Sequence, residues 1–119
     1  MRLLIILCLV LLSVHSYSQE VIPEVETVTR DGLVYYQDTN ELVTGIVEMF
    51  NNDRQLWERQ NYKDGKREGL WEMFYENGQL SFRGNYKDGK QDGLLEYFDE
   101  DGNLTSTETY RNGELVEEN

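Results

Sequence analysis

Four kinds of landmark residue return at an interval of 24 positions: Gly45, Gly69 and Gly93; Phe50, Phe74 and Phe98; Leu56, Leu80 and Leu104; Tyr62, Tyr86 and Tyr110. A fixed period of this size marks a repeat architecture, in which each unit buries its apolar surface against its neighbours rather than in one deep core. The clearest copy, Gly69 to Asp92, reads GLWEMFYENGQLSFRGNYKDGKQD. Two turn signals divide each unit. One is Asn77-Gly78, matched by Asp101-Gly102; the other is Lys-Asp-Gly-Lys at 63–66 and 87–90, echoed by Arg-Asn-Gly-Glu at 111–114.

A turn signal arrives about every 10 to 12 residues, too often for an amphipathic helix to establish its period, and the segments between are rich in aromatic and aliphatic β-formers. The chain is therefore expected to be all-β, an antiparallel meander of repeated hairpins forming an elongated, twisted single sheet. Asn77-Gly78 between β-formers predicts a two-residue type I′ turn, and the Lys-Asp-Gly-Lys motifs predict a longer turn into the next unit. Asp53-Arg54 stands where the first copy would carry its turn glycine, so a different or longer loop is expected there.

A two-residue turn at Asn77-Gly78 sets a register that pairs Glu76 with Gln79, Tyr75 with Leu80, Met73 with Phe82 and Glu72 with Arg83. One face then carries Trp71, Met73, Tyr75, Leu80, Phe82 and Tyr86. The other carries Leu70, Glu72, Phe74, Ser81, Arg83 and Asn85. Glu72–Arg83 recurs as Glu48–Arg59 and lapses at Glu96–Thr107; such cross-strand pairs contribute about 0.2–1 kcal/mol each. The expected organisation is a signal peptide at 1–18, an extended leader at 19–31 and a repeat domain at 32–119. That domain comprises a half repeat at 32–44 and repeats at 45–68, 69–92 and 93–116, with the 36–45 segment read as a longer version of the Tyr-to-Gly connection.

The signal-peptide reading rests on Arg2, the apolar run Leu3 to Leu12, and Ser16-Tyr17-Ser18 before Gln19. Ten apolar residues are about half the length of a bilayer span. Export to the periplasm or the exterior follows as an expectation, without stable membrane insertion after cleavage. Cys8 lies inside the apolar run after Leu7, a poor setting for lipidation. Beyond residue 18 there are 10 basic and 23 acidic side chains, a net charge of −13, and neither Cys nor His. That composition argues against thiol or histidine catalysis, a disulfide framework and the usual zinc ligands. It also opposes nucleic acid binding and favours a basic protein partner.

Three constellations bear on chemistry. Glu48, Glu72 and Glu96 recur at the repeat period, and Glu76, Asp99 and Asp101 lie near turns; repetition argues for solvated or cross-strand acids rather than a catalytic pair. Asp99 to Asn103 suggests a calcium loop, but position 6 counted from Asp99 is Leu104 and position 12 is Tyr110, where that loop requires Gly and Glu. No catalytic residue, metal site or cofactor is assigned. The aromatics form the expected core, with Trp57, Trp71 and Tyr75 as candidates for partner contact and Trp57 foremost among them.

The repeated pattern Gly-x-Trp-x-x-Phe-Tyr-x-Asn-Gly-x-Leu, followed by Tyr-x-Asp-Gly-Lys, resembles the variant MORN repeat, and in particular the bacterial YwqK-family toxin–antitoxin antitoxins. The residues that carry this are Trp71, Phe74, Tyr75, Asn77-Gly78, Leu80, Tyr86 and Asp88-Gly89-Lys90. Departures include Arg54 at the turn, Val47 and Leu95 at the position of Trp71, and Glu68 and Asp92 where His often precedes the next Gly. The resemblance implies an array of β-hairpins used for protein contacts and an antitoxin-like role. Two other readings stand beside it: immunity-like neutralisation of a basic toxin in the cell envelope, and polysaccharide binding through the aromatics. Oligomeric state is left open. The central copy should be the most stable, because it alone combines a good turn, a full apolar face and the Glu72–Arg83 pair.

Overall fold

The structure, a computed structural model, describes residues 19–119; the expected export signal and Cys8 lie outside the described residues. Strands β1 (Val21–Pro23), β2 (Thr27–Arg30), β3 (Leu33–Tyr36), β4 (Gly45–Phe50), β5 (Leu56–Lys63), β6 (Lys66–Phe74), β7 (Leu80–Lys87), β8 (Lys90–Gln91), β9 (Gly93–Phe98), β10 (Leu104–Arg111) and β11 (Glu114–Glu118) follow in order, with one 3₁₀ turn at Glu24–Glu26. The main sheet runs β1-β4-β5-β6-β7-β9-β10-β11, with β8 also pairing β7, while β2 and β3 form a separate two-stranded sheet. Apart from β1, which joins β4 in parallel, the pairings are antiparallel. The chain is thus all-β and dominated by one antiparallel sheet of hairpins. Seven interstrand steps of about 4.8 Å make it roughly 34 Å wide.

The two turn types are exchanged relative to expectation. Lys63 pairs with Lys66 and Lys87 with Lys90, leaving two-residue turns in which Asp64 (φ 48°) and Gly65 (φ 79°), then Asp88 (51°) and Gly89 (82°), all hold positive φ. These are the type I′ turns. At Asn77-Gly78 only Gly78 is left-handed, at φ 82°. The Tyr75 amide donates to the Gln79 carbonyl and the Gly78 amide to the Tyr75 carbonyl, closing a three-residue loop followed by a bulge. Asn51–Gln55 and Asp99–Asn103 make the same pair of bonds, so the first copy keeps this turn after all, with Arg54 itself left-handed at φ 60°.

The bulge corrects the register near the turn. Met73–Phe82 and Glu72–Arg83 pair as expected, but Phe74, not Tyr75, lies opposite Leu80. Leu80 therefore shares the face of Phe74 and Glu72. Ser81 is the extra residue, and Trp57 and Thr105 occupy the same bulge position in the other copies. Asp31-Gly32, also at positive φ, is the true counterpart of Asp64-Gly65, joining β2 to β3; the 36–45 segment is not a lengthened copy of that turn.

Neighbouring units are tied together by their turns. The Gly65 amide donates to the Val43 carbonyl, Gly89 to Arg67, and Gly113 to Gln91, at 2.8–2.9 Å. In parallel, the Asp64 amide donates to Thr44 Oγ1, Asp88 to Glu68 Oε2, and Asn112 to Asp92 Oδ1. Both ladders step by one repeat. Glu68 and Asp92, unusual for the motif, are acceptors in the second of them.

The inner face of the sheet holds two packed regions. Ile22, Val34, Val43, Val47 and Tyr62 are buried together beside Tyr36, where β1 and the β2–β3 hairpin meet the main sheet. Further along, Trp71 packs edge-on to Phe82 at 4.5 Å and tilts onto Tyr86 at 5.3 Å, and Phe82 meets Tyr97 at 5.2 Å. Trp71 lies opposite Gly84, whose missing side chain leaves room for Phe82 and Leu95.

Candidate functional site

The outer face is organised by a single charged row. Glu48, Arg59, Glu72, Arg83, Glu96 and Thr107 are register neighbours across six successive strands. Arg59 bridges Glu48 at 3.1 Å and Glu72 at 3.5 Å, and Arg83 bonds Glu96 at 2.8 Å. The sequence pairs Arg83 with Glu72 inside one hairpin; the guanidinium instead reaches forward to the next unit. Arg59 also lies over the Phe74 ring and Arg83 over that of Phe98, at 5.8 and 5.7 Å. Around this row Phe50, Leu70, Leu94 and Leu104 remain 41–53% exposed on the same face. A face this apolar, laced with alternating charge, is the kind of surface that protein partners cover.

At the turn edge of this face is a groove of about 380 Å³, lined by Gln55, Leu56, Arg59, Phe74, Tyr75, Glu76, Asn77 and Gly78. It lies at the junction between the first and second repeat turns. The next junction is closed by two bonds that step between repeats: the Tyr75 hydroxyl donates to the Phe98 carbonyl at 2.7 Å, and Asn77 Nδ2 to the Glu100 carbonyl at 3.0 Å. One repeat earlier these positions are Asn51 and Asp53. Asn51 turns inward instead, its Oδ1 accepting the Asp53 and Gln55 amides. Asp53, an acceptor when ionised, has no proton to give a carbonyl.

Of the three aromatics singled out from sequence, Tyr75 walls this groove. Trp57 sits at its bulge 40% exposed, and Trp71 is half-buried on the opposite face. The three do not converge on one place. Trp71 belongs to a polar network that sequence reasoning missed: its Nε1–H donates to Glu58 Oε1 at 2.7 Å, and Gln60 Nε2 donates to the same oxygen. Gln60 Oε1 accepts from the Tyr62 hydroxyl at 2.7 Å and from Arg67 Nε at 2.8 Å. Glu58 and Gln60 are 7% and 2% exposed, and these bonds supply the partners that such buried groups require. The signal available in the sequence was the alternation Glu58, Gln60, Tyr62 in step with Phe82, Gly84, Tyr86.

The acids weighed as catalytic all have local partners or solvent. Glu48, Glu72 and Glu96 lie in the ion-pair row. Asp99 Oδ1 accepts the amides of Asp101 and Asn103, and the Asn103 backbone bond is the leading cause of a carboxyl pKa below the ordinary aspartate value. Tyr97 is pushed up, by burial first and then by Glu108, to whose carboxylate its hydroxyl donates at 3.3 Å. Among the described residues no group of three or more His, Cys, Asp or Glu is arranged to hold a metal ion, and no helix is long and apolar enough to cross a membrane.

Comparison with curated proteins and with solved structures gave no match. Residues 67–88 and 91–112 each match the family model for the MORN repeat variant, and the two matches are offset by one structural repeat. Repeats of this type are non-catalytic and generally bind proteins or membranes. Over those two stretches, each a pair of strands joined by a bulged three-residue loop at 76–78 or 100–102, the chain is similar to that repeat family.

Proposed function

We propose that the chain is a non-enzymatic repeat scaffold that holds a protein partner against the outer face of its main sheet. The observation carrying this reading is the set Phe50, Leu70, Leu94 and Leu104, half-exposed on one face around the Glu–Arg row. Salt bridges within the row fix its side chains, so a partner meets a preorganised surface. The net charge of −13 beyond residue 18 favours a basic partner and hastens its encounter. Export directed by residues 1–18 would place the scaffold in the cell envelope or outside it, and this part of the proposal rests on the sequence alone. Antitoxin-like activity, or immunity against a basic toxin, is the narrower form of the same chemistry and rests on the family resemblance and the charge.

Affinity capture from the source cell envelope tests the reading, with wild type compared against Leu70→Asp/Leu94→Asp. Both sites are exposed, so the variant should keep the wild-type circular dichroism spectrum and melting temperature. A basic protein should be enriched by wild type, less so as salt rises, and lost with the variant. Retention on immobilised glycans with no protein captured would overturn the scaffold reading in favour of polysaccharide binding.

A further inference from the structure

We infer that the groove at the first repeat junction receives a tyrosine side chain of the partner, in the place that Tyr75 fills one repeat later. The inference rests on the scaffold reading and names the contact at one edge of its surface. Each residue lining the groove has a counterpart one repeat on: Gln79, Leu80, Arg83, Phe98, Asp99, Glu100, Asp101 and Gly102. The arginine stacks alike in both, Arg59 over Phe74 and Arg83 over Phe98, at nearly equal distances. In the second junction a phenol hydroxyl and an amide donate to the carbonyls of Phe98 and Glu100. In the first, no described side chain donates to the Phe74 or Glu76 carbonyl, because Asn51 caps its own turn and Asp53 is an acceptor.

The groove therefore offers an apolar wall (Leu56, Phe74), a stacked guanidinium and a backbone acceptor that no described side chain meets, the complement of a phenol. Phenylalanine would fill the wall and leave the acceptor unmet. Phosphotyrosine would bring negative charge against Glu76 in the lining, while the one lining cation, Arg59, is already paired with Glu48 and Glu72. Glu76 instead suits a tyrosine flanked by basic residues.

The test uses N-acetyl-tyrosinamide as the probe, followed by amide NMR shifts of the ¹⁵N-labelled chain. N-acetyl-phenylalaninamide and methyl glucoside serve as controls. Saturable shifts are expected at Gln55 and Glu76 to Gly78, with the phenylalanine analogue roughly two- to tenfold weaker, the contribution of one net hydrogen bond. Asn51→Tyr/Asp53→Asn transplants the closed junction and should abolish those shifts. Absence of saturable shifts, equal binding of the phenylalanine analogue, or shifts that survive in a folded double variant would each overturn the inference. The probe comparison on wild type decides the matter even if the double variant fails to fold. Partner capture that is lost in Leu70→Asp/Leu94→Asp yet unaffected by Asn51→Tyr/Asp53→Asn would remove the tyrosine site and leave the scaffold standing. Probe binding with no protein captured would overturn the scaffold and, with it, a protein as the source of the tyrosine.

Discussion

Arg54 holds the left-handed conformation that Gly78 and Gly102 hold in the later copies, at φ 60° against 82° and 87°. A Cβ in that region costs about 1–2 kcal/mol, partly offset in any glycine replacement by the greater entropy of the unfolded chain. Arg54→Gly should therefore stabilise the protein by about 1 kcal/mol, seen as a higher urea midpoint with an unchanged slope. Asp99, which opens the third turn as Asn51 opens the first, is titratable. Its folded-state pKa is lowered, chiefly by the Asn103 amide, so its contribution is present above the unfolded value near 4 and is lost as pH falls through the folded one. A melting series from pH 6 to pH 2 should show part of the acid loss disappear in Asp99→Ala. An unchanged profile would mean that the turn is held by its backbone bonds alone.

On the inner face Trp71 stands opposite Gly84, where an added side chain would have little room. A Cβ there would lie 3.0 Å from Phe82 Cζ and 3.1 Å from Leu95 Cγ, while its backbone is ordinary for a strand. Gly84→Ala should cost about 1–3 kcal/mol through overpacking, measured by chemical denaturation. Its neighbour Trp71 has a second role through Nε1. Trp71→Phe keeps a ring against Phe82 and Tyr86 but withdraws the bond to buried Glu58, and a loss of about 1–3 kcal/mol is expected from the weakened satisfaction of that carboxylate. The Glu–Arg row is the weaker element. Its arginines are about 35–45% exposed, so each bridge contributes at most about 1 kcal/mol and orders the outer face more than it holds the fold.

Across the whole molecule, cohesion passes from unit to unit through the stacked turns and the shared ladder. The second hairpin, β6–β7, has partners on both sides, whereas β10 is followed only by the exposed strand β11 among the described residues. Gly78→Val should consequently lower the melting temperature more than Gly102→Val, although both glycines are left-handed; equal losses would refute that gradient. The period, the all-β class and the central Glu72–Arg83 register were readable directly, because a repeat writes its strand length and its turn residues into the chain in every copy. Local chemistry left the turn types ambiguous. Asn-Gly and Asp-Gly both suit positive φ, and which pair became the two-residue turn was decided by pairing of the flanking strands: Lys63 with Lys66, but Phe74 with Leu80. The parallel cap of β1 on β4, the forward reach of Arg83 to Glu96 and the closed Glu58 network depend on neighbours distant in sequence. So does the groove at Tyr75. In sequence Asn51 and Asp53 are ordinary turn residues, and only the stacking of one repeat on the next shows that they leave open a junction which Tyr75 and Asn77 close one step later.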